Sequence, residues 1–393
     1  MNRCLSNSPL MKETAYGIFV FLMIIAFSCS GKNTTLINNQ VYYNNAIISY
    51  AERLKIEKKE GYSQLSILNP WQGANEIIHT WYLVPRGSDP PDGVDSAKII
   101  FTPVRKIICM STTYLPMILS LNEVNSISGV SGTEFIFGKE LTERVDNGHI
   151  VDVGYEDNIN KELIISIKPD LVMTYGIGNE STGYLGKIRE FGIRVMFNAD
   201  YLETDPLGKA EWIKMFGALF CKEEEADIIF RAIENEYNTL KEYISGQLVS
   251  RPSVLLGLPY RDTWYVSPGN SYISRLIDDA GGNYLWNDTR SFVSMPLGIE
   301  NVYLKALKAE YWLNIGNINS RKEILAIDPR LEDFPCFSMG NLYNNNKRIN
   351  LKGGNDYWES GNMNPHAVLK DIASILHPEL LSDHKLFYYT KIY

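Results

Sequence analysis

Seven ring-bearing side chains stand where segments of strand character give way to loops. Tyr114 follows "KIICMST", Tyr155 lies in "VDVGYEDN", Tyr175 closes "DLVMTY" and Trp264 lies in "PYRDTWYVSPG". Trp286 closes "DDAGGNYLW", Phe292 ends "DTRSF" and Trp358 lies in "GGNDYWESG". Rings of this kind hold large, flat, partly apolar ligands, contributing about 25 cal/mol for each Å² of apolar area removed from water. Arg261, in the loop that carries Trp264, offers an anionic group a forked hydrogen bond. These residues are the expected binding surface.

Catalytic spacings are missing. "GVSGT" at 129–133 falls one residue short of a nucleophile elbow, and "GIGNES" at 176–181 lacks the third glycine of a dinucleotide fingerprint. His79, His149, His366, His377 and His384 show no ligand-like pairing and read as surface or capping residues. The chain is therefore expected to be no enzyme and to carry neither a resident cofactor nor a metal. A net charge of −8 without a basic run excludes nucleic acid as a partner.

The elements that must position the rings follow from pattern. With 393 residues, 45% of them apolar and 21% charged, the chain can bury two sizeable cores. From 99 onward, apolar strand-like runs alternate with helical periodicity, as in "NKELIISI" before "DLVMTYG". The alternation returns in "PSVLLGLPY", "NSYISRLIDDAGG" and "EYWLNIG". Alternation of this sort means parallel pairing through right-handed crossovers, so the fold class is α/β with two lobes. Between them, Asp205 and Pro206 make a helix start, with Trp212, Phe216 and Leu219 on one apolar face. Ile229, Ile233, Tyr237, Leu240 and Ile244 then mark a long helix able to link the lobes. The expected organisation is a leader at 1–28, a tether at 29–45, a β-rich elaboration at 46–98, an α/β lobe at 99–220, the linking helix at 221–246 and a second α/β lobe at 247–393.

Ala15 to Phe27 is an apolar run of 13 residues after Lys12, of signal-peptide length and too short to span a bilayer. Ala26 and Ser28 precede Cys29 in a pattern that resembles a bacterial lipobox, which would make Cys29 the lipidated first residue of an exported protein. The alternative is an ordinary secretory signal, and either Met1 or Met11 serves as the start. Cys109, Cys221 and Cys336 are too widely spaced for a disulfide framework, and Cys109 reads as core.

Three stretches carry a family resemblance: "RKIICMSTTYLPMILSLNEVNSISGVSG", "VGYEDNINKELIISIKPDLVMTYG" and "RPSVLLGLPYRDTWYVSPGNSYISRLIDDAGGNYLW". In order and spacing they resemble the class III solute-binding proteins of cobalamin, haem and ferric-siderophore ABC importers, from about residue 99 to 376. The closing "YWESGNMNPHAVLKDIASILHPELL" looks like lipoprotein variants common in Bacteroidetes. The resemblance implies two lobes joined by one rigid helix, a metal-chelate or corrinoid ligand between them, and a monomer that docks on a membrane permease. It places Glu162, eight residues before Asp170, at the permease contact of the first lobe, and Glu300 at that of the second. Glu162 also has a local reason, since an acidic group in a helix's first turn contributes about 0.3–1 kcal/mol. Tyr175 falls where cobalamin-binding relatives place a stacking tryptophan, and Tyr155 falls near another. Gly176 would let the chain turn tightly after Tyr175. The expected function is capture and delivery of an iron complex or cobalamin by a lipid-anchored periplasmic protein. Its rivals are an exported enzyme on a two-lobed scaffold, or a scavenger without a permease.

Overall fold

The computed structural model describes residues 47–155, 158–176 and 183–393, so the expected leader, tether and lipidated Cys29 lie outside the described residues. The first layer is a four-stranded sheet in chain order: β1 (Leu54–Lys59), β2 (Tyr62–Leu68), β3 (Ile78–Pro85) and β4 (Ile99–Thr102). Neighbours are antiparallel except β3 and β4, which are parallel. Leu54, Ile56, Leu65 and Ile67 share one face and are buried, as period-two alternation requires of a half-covered sheet. The entry to this sheet is strapped down by two buried carboxylates. Glu211 accepts the N–H groups of Ser49, Tyr50 and Ala51 at 2.9, 2.7 and 2.9 Å, and Glu203 accepts those of Glu52 and Arg53 at 3.0 Å.

The first lobe is built on β5 (Ile107–Cys109), β6 (Ile127–Val130), β7 (Val151–Asp152), β8 (Leu171–Thr174) and β9 (Arg194–Phe197). All pair parallel, in the order β7-β6-β5-β8-β9. Helices α1 (Leu115–Ser120), α2 (Lys139–Asp146), α3 (Lys161–Ile167) and α4 (Gly183–Glu190) make the crossovers. Ile107, Ile108 and Cys109 have no exposed surface, because helices cover both faces of a parallel sheet. The chain leaves β5 on one side for β6 and returns on the other for β8, which opens a crevice beyond the carboxyl ends of those strands. Asp170 ties the start of β8 to that of β5 by accepting from the N–H groups of Arg105 and Lys106.

Three helices follow: α5 (Pro206–Glu211), α6 (Ile213–Phe220) and α7 (Glu223–Gln247). Asp205 caps α5 through the N–H groups of Leu207 and Gly208. Where sequence periodicity suggests one apolar face, every residue of α6 is buried, since the helix lies beneath α7 and against β4. Lys214 is tolerated there through an ion pair with Glu211 at 2.9 Å. At 25 residues, α7 is about 37 Å long. Phe230, Ile233, Tyr237 and Ile244 form its buried stripe.

The second lobe comprises β10 (Ser253–Leu256), β11 (Pro259–Tyr260), β12 (Thr263–Val266), α8 (Tyr272–Asp279), β13 (Asn283–Tyr284), β14 (Met295–Gly298), α9 (Ile299–Ala306) and β15 (Tyr311–Leu313). It continues with α10 (Arg321–Ile327), α11 (Pro335–Ser338), β16 (Leu342–Asn344), α12 (Asp356–Glu359), α13 (Pro365–Leu376) and β17 (Thr390–Lys391). Its main sheet runs β13-β10-β15-β16-β17, parallel up to the antiparallel β17, beside a small antiparallel sheet of β11, β12 and β14. The fold is the α/β architecture of two parallel-sheet lobes expected from the alternation.

Candidate ligand-binding site

Beyond β7, Gly154 turns the chain with φ of +84°, where a Cβ would lie 2.1 Å from the Asn158 carbonyl oxygen. Tyr155 follows, 41% exposed, with its ring edge-on to Phe135 at 5.7 Å. Both stand beside a cavity of about 450 Å³ lined by Glu134, Asp152, Gly154, Tyr155, Asn158 and Asn160. Burial works against charge on Asp152, but hydrogen bonds from Gly154 and Thr133 outweigh it and hold the carboxyl below its usual range.

Beyond β8, Tyr175 is half-buried and its ring lies edge-on to that of Tyr201 at 6.4 Å. The Tyr201 hydroxyl donates to the Gly176 carbonyl. Gly176 does not serve as a left-handed turn, because its φ is not positive. It is there because Trp71 closes against it in a β-bridge, and an added Cβ would lie 2.6 Å from the Trp71 Cβ and 3.2 Å from the Phe197 ring. Sequence reading missed Trp71, Tyr201 and Phe135. Trp71 followed by a glycine two residues on, inside a polar loop between strands, was the one local signal available.

Three of the expected site rings belong to the cores instead. Tyr114 is 1% exposed and packs on Phe216, because the turn after β5 folds the ring inward over α6. Trp264 has no exposed surface: alternation along β12 turns it inward, stacked on Trp312 at 5.9 Å, with Nε1 donating to the Leu256 carbonyl at 2.9 Å. Its neighbour Tyr265 takes the outer face. Trp286 is 5% exposed, covered by Tyr284 and by the Lys305 ammonium 5.0 Å from its ring.

Arg261 occupies the hairpin turn between β11 and β12 with φ of +55°, and its guanidinium lies over the Tyr260 ring at 5.3 Å. Phe292 is 90% exposed. Trp358, in α12, is largely exposed and edge-on to Tyr357 at 4.8 Å. The next residue, Glu359, crosses to the first lobe and accepts from Phe137 and Gly138, which brings α12 to the carboxyl edge that carries Phe135 and Tyr155. A second cavity, of about 460 Å³, lies along α8 and is polar, with Thr204, Asn270, Arg275, Asn287 and Arg290 in its wall.

Glu162 stands exposed in the first turn of α3, whose N-terminus is capped by the Asn160 side chain. Glu300 occupies the same position in α9 but is paired with Arg330 at 2.8 Å, and Arg330 also grips Asp328 at 2.7 Å. Helix α3 is the crossover from β7 to β8, so Glu162 sits at the carboxyl edge of the first lobe, while α9 leads from β14 of the small sheet to β15 of the main sheet. Among the described residues no group of three or more His, Cys, Asp or Glu is arranged to hold a metal, and no helix is long and apolar enough to cross a membrane.

Two α/β lobes thus flank one long helix, with accessible rings at the carboxyl edge of the first lobe's parallel sheet. The chain belongs to the Periplasmic binding protein family, which matches residues 107–344. It is 29% identical over 306 residues to an uncharacterized lipoprotein of Methanocaldococcus jannaschii, covering 76% of this chain and 71% of that one. A second lipoprotein of that organism is 26% identical over 365 residues, covering 88% and 87%. Among solved structures, a periplasmic heme-binding protein from Pseudomonas aeruginosa superposes with a TM-score of 0.55 at 15% identity, over 74% of this chain and 98% of that one. The Fe3+-hydroxamate transport protein of Saccharomonospora viridis gives 0.53 at 15% identity, over 70% and 94%. At such identities the two structures speak for the fold alone.

Proposed function

We propose that the protein captures a metal chelate or corrinoid, of the class of haem, a ferric siderophore or cobalamin, between its lobes and delivers it to an ABC permease. The observation that carries this reading is the pair of accessible rings, Tyr155 beyond β7 and Tyr175 beyond β8, at the carboxyl edge of one parallel sheet, Tyr175 beside the β5–β8 crossover point where such sheets bind ligands. Trp358 from the second lobe supplies a further exposed ring. Affinity on this reading comes from ring burial and a few polar contacts, and the chain performs no catalysis. Glu162 and Glu300 are the proposed permease contacts, and Cys29 the proposed lipid anchor of an exported, monomeric protein. Names of lipoproteins among the relatives support the anchor.

These candidate ligands absorb visible light, which gives a direct test. Titration of the purified protein with haemin, cyanocobalamin and ferrichrome, followed by absorption and calorimetry, should show saturable binding of one of them. Binding of none would refute the reading. The scavenger reading gains from one observation, the Arg330 ion pair that already occupies Glu300. Uptake unaffected by Glu162→Ala together with Glu300→Ala would favour it.

A further inference from the structure

We propose that the N-terminal sheet is a working wall of the ligand cleft, its β2–β3 loop setting the position of Tyr201 and, through it, Tyr175. The proposal rests on the binding role argued above for Tyr175. The sheet precedes the family match, which starts at residue 107, so it is an addition whose role needs a reason.

The loop from Asn69 to Ile77 is shaped before it reaches the lobe. The Asn69 N–H donates to the Ile77 carbonyl at 2.7 Å, the Ile77 N–H donates to the Asn69 side chain at 3.1 Å, and Arg53 donates to the Asn69 carbonyl at 2.8 Å. So braced, the loop places Trp71 on Gly176, with the indole lodged 5.5 Å from the Phe197 ring and 5.4 Å from His79. The Tyr201 hydroxyl donates to the Gly176 carbonyl. Tyr201 is therefore held by the residue on which the loop docks. Its ring then meets Tyr175 edge-on at 72°.

The physical consequence is preorganisation. A tyrosine at a strand end has two soft side-chain angles, and holding its ring in place before the ligand arrives removes part of the ordering cost of binding. Trp71 is the positioning residue in this scheme, and Tyr175 is the ring it serves.

The test compares the wild type with Trp71→Ala, Tyr201→Phe, Tyr175→Ala and the double variant Trp71→Ala/Tyr175→Ala, titrated with haemin, cyanocobalamin and ferrichrome. For the probe that the wild type binds, Trp71→Ala and Tyr201→Phe should each weaken affinity about tenfold. The double variant should bind about as well as Tyr175→Ala alone, because Trp71 acts through that ring. Unchanged affinity in Trp71→Ala, or single effects that multiply in the double variant, would overturn the proposal. Should the wild type bind none of the probes, the transport reading fails, and amide exchange in the ligand-free protein decides the positioning. Faster exchange at Gly176 and Tyr201 in Trp71→Ala supports it, and unchanged exchange overturns it.

Discussion

Glu359 accepts the backbone N–H of Phe137 at 2.7 Å, so a carboxylate of the second lobe closes the approach to α2 in the first. The adjacent N–H of Gly138, at the N-cap of α2, donates to the same group at 3.1 Å. Gly138 has no side chain with which to cap the helix, and Glu359 satisfies donors that would otherwise be orphaned. Asn350 adds a hydrogen bond to the Ile136 carbonyl at 2.8 Å, and Arg348 lies over the Phe137 ring at 4.9 Å. The lobes are thus tied both by α7 and by the segment around α12, an arrangement suited to small closure rather than a wide hinge.

This tie should depend on pH. Burial pushes the Glu359 carboxyl up to about 7 from the ordinary 4.5; the Phe137 and Gly138 N–H groups pull it down and nearby Asp356, itself paired with Arg348 at 2.6 Å, adds to the rise. A raised carboxyl contributes stability that is fully present below 4.5 and is lost as pH climbs through about 7. Amide exchange at Phe137 and Gly138, corrected for its intrinsic rate, should therefore quicken between about pH 5 and about pH 8. Glu359→Gln should flatten that dependence, and a flat profile in the wild type would count against proton linkage.

Gly176→Ala is expected to destabilise the fold by about 1–3 kcal/mol, the usual cost of forcing an extra methyl group into a packed site. The added Cβ would meet the Trp71 Cβ at 2.6 Å, and neither backbone can yield easily within a β-bridge. Chemical denaturation measures the loss. Stability equal to the wild type would mean that Trp71 does not dock there.

Trp264 and Phe292 separate packing from surface. Trp264→Ala empties a fully buried site stacked on Trp312 and should cost about 3–5 kcal/mol. Phe292→Ala, at a residue 90% exposed, should stay within about 0.5 kcal/mol. Urea unfolding of both variants tests the assignment; similar losses at the two positions would contradict it.

The two carboxylates proposed to dock on the permease should contribute unequally to delivery. Glu162 is exposed with no ion-pair partner among the described residues, whereas Glu300 must first leave Arg330. In cells that import the ligand, Glu162→Ala should slow uptake more than Glu300→Ala, and Arg330→Ala should leave folding intact. Equal losses from the two glutamate variants would show that the Arg330 pair imposes no barrier.

Local features were legible wherever the cause is local. The run "DLVMTY" is apolar and β-branched enough to read as a buried strand, Asp205–Pro206 as a helix start and Asn160–Glu162 as a helix's first turn, and each is found in that role. Tyr155 and Tyr175 stand beyond strand ends as their segments suggest, whereas Trp264 lies within β12 and Trp358 within α12. Which way each ring faces was not legible: Trp264 and Tyr265 are neighbours on one strand, and the face that is buried depends on where β12 packs rather than on either residue.

The chain's own order of apolar runs, turn residues and helix caps determined the two parallel-sheet lobes and their rigid link, because periodicity and capping act over a few residues. Tertiary structure alone decided which aromatics reach the surface, that Gly176 answers to Trp71 from another sheet, and that Glu359 caps a helix in the opposite lobe. Those outcomes depend on close approach between segments far apart in the chain, and no local pattern encodes where such segments will meet.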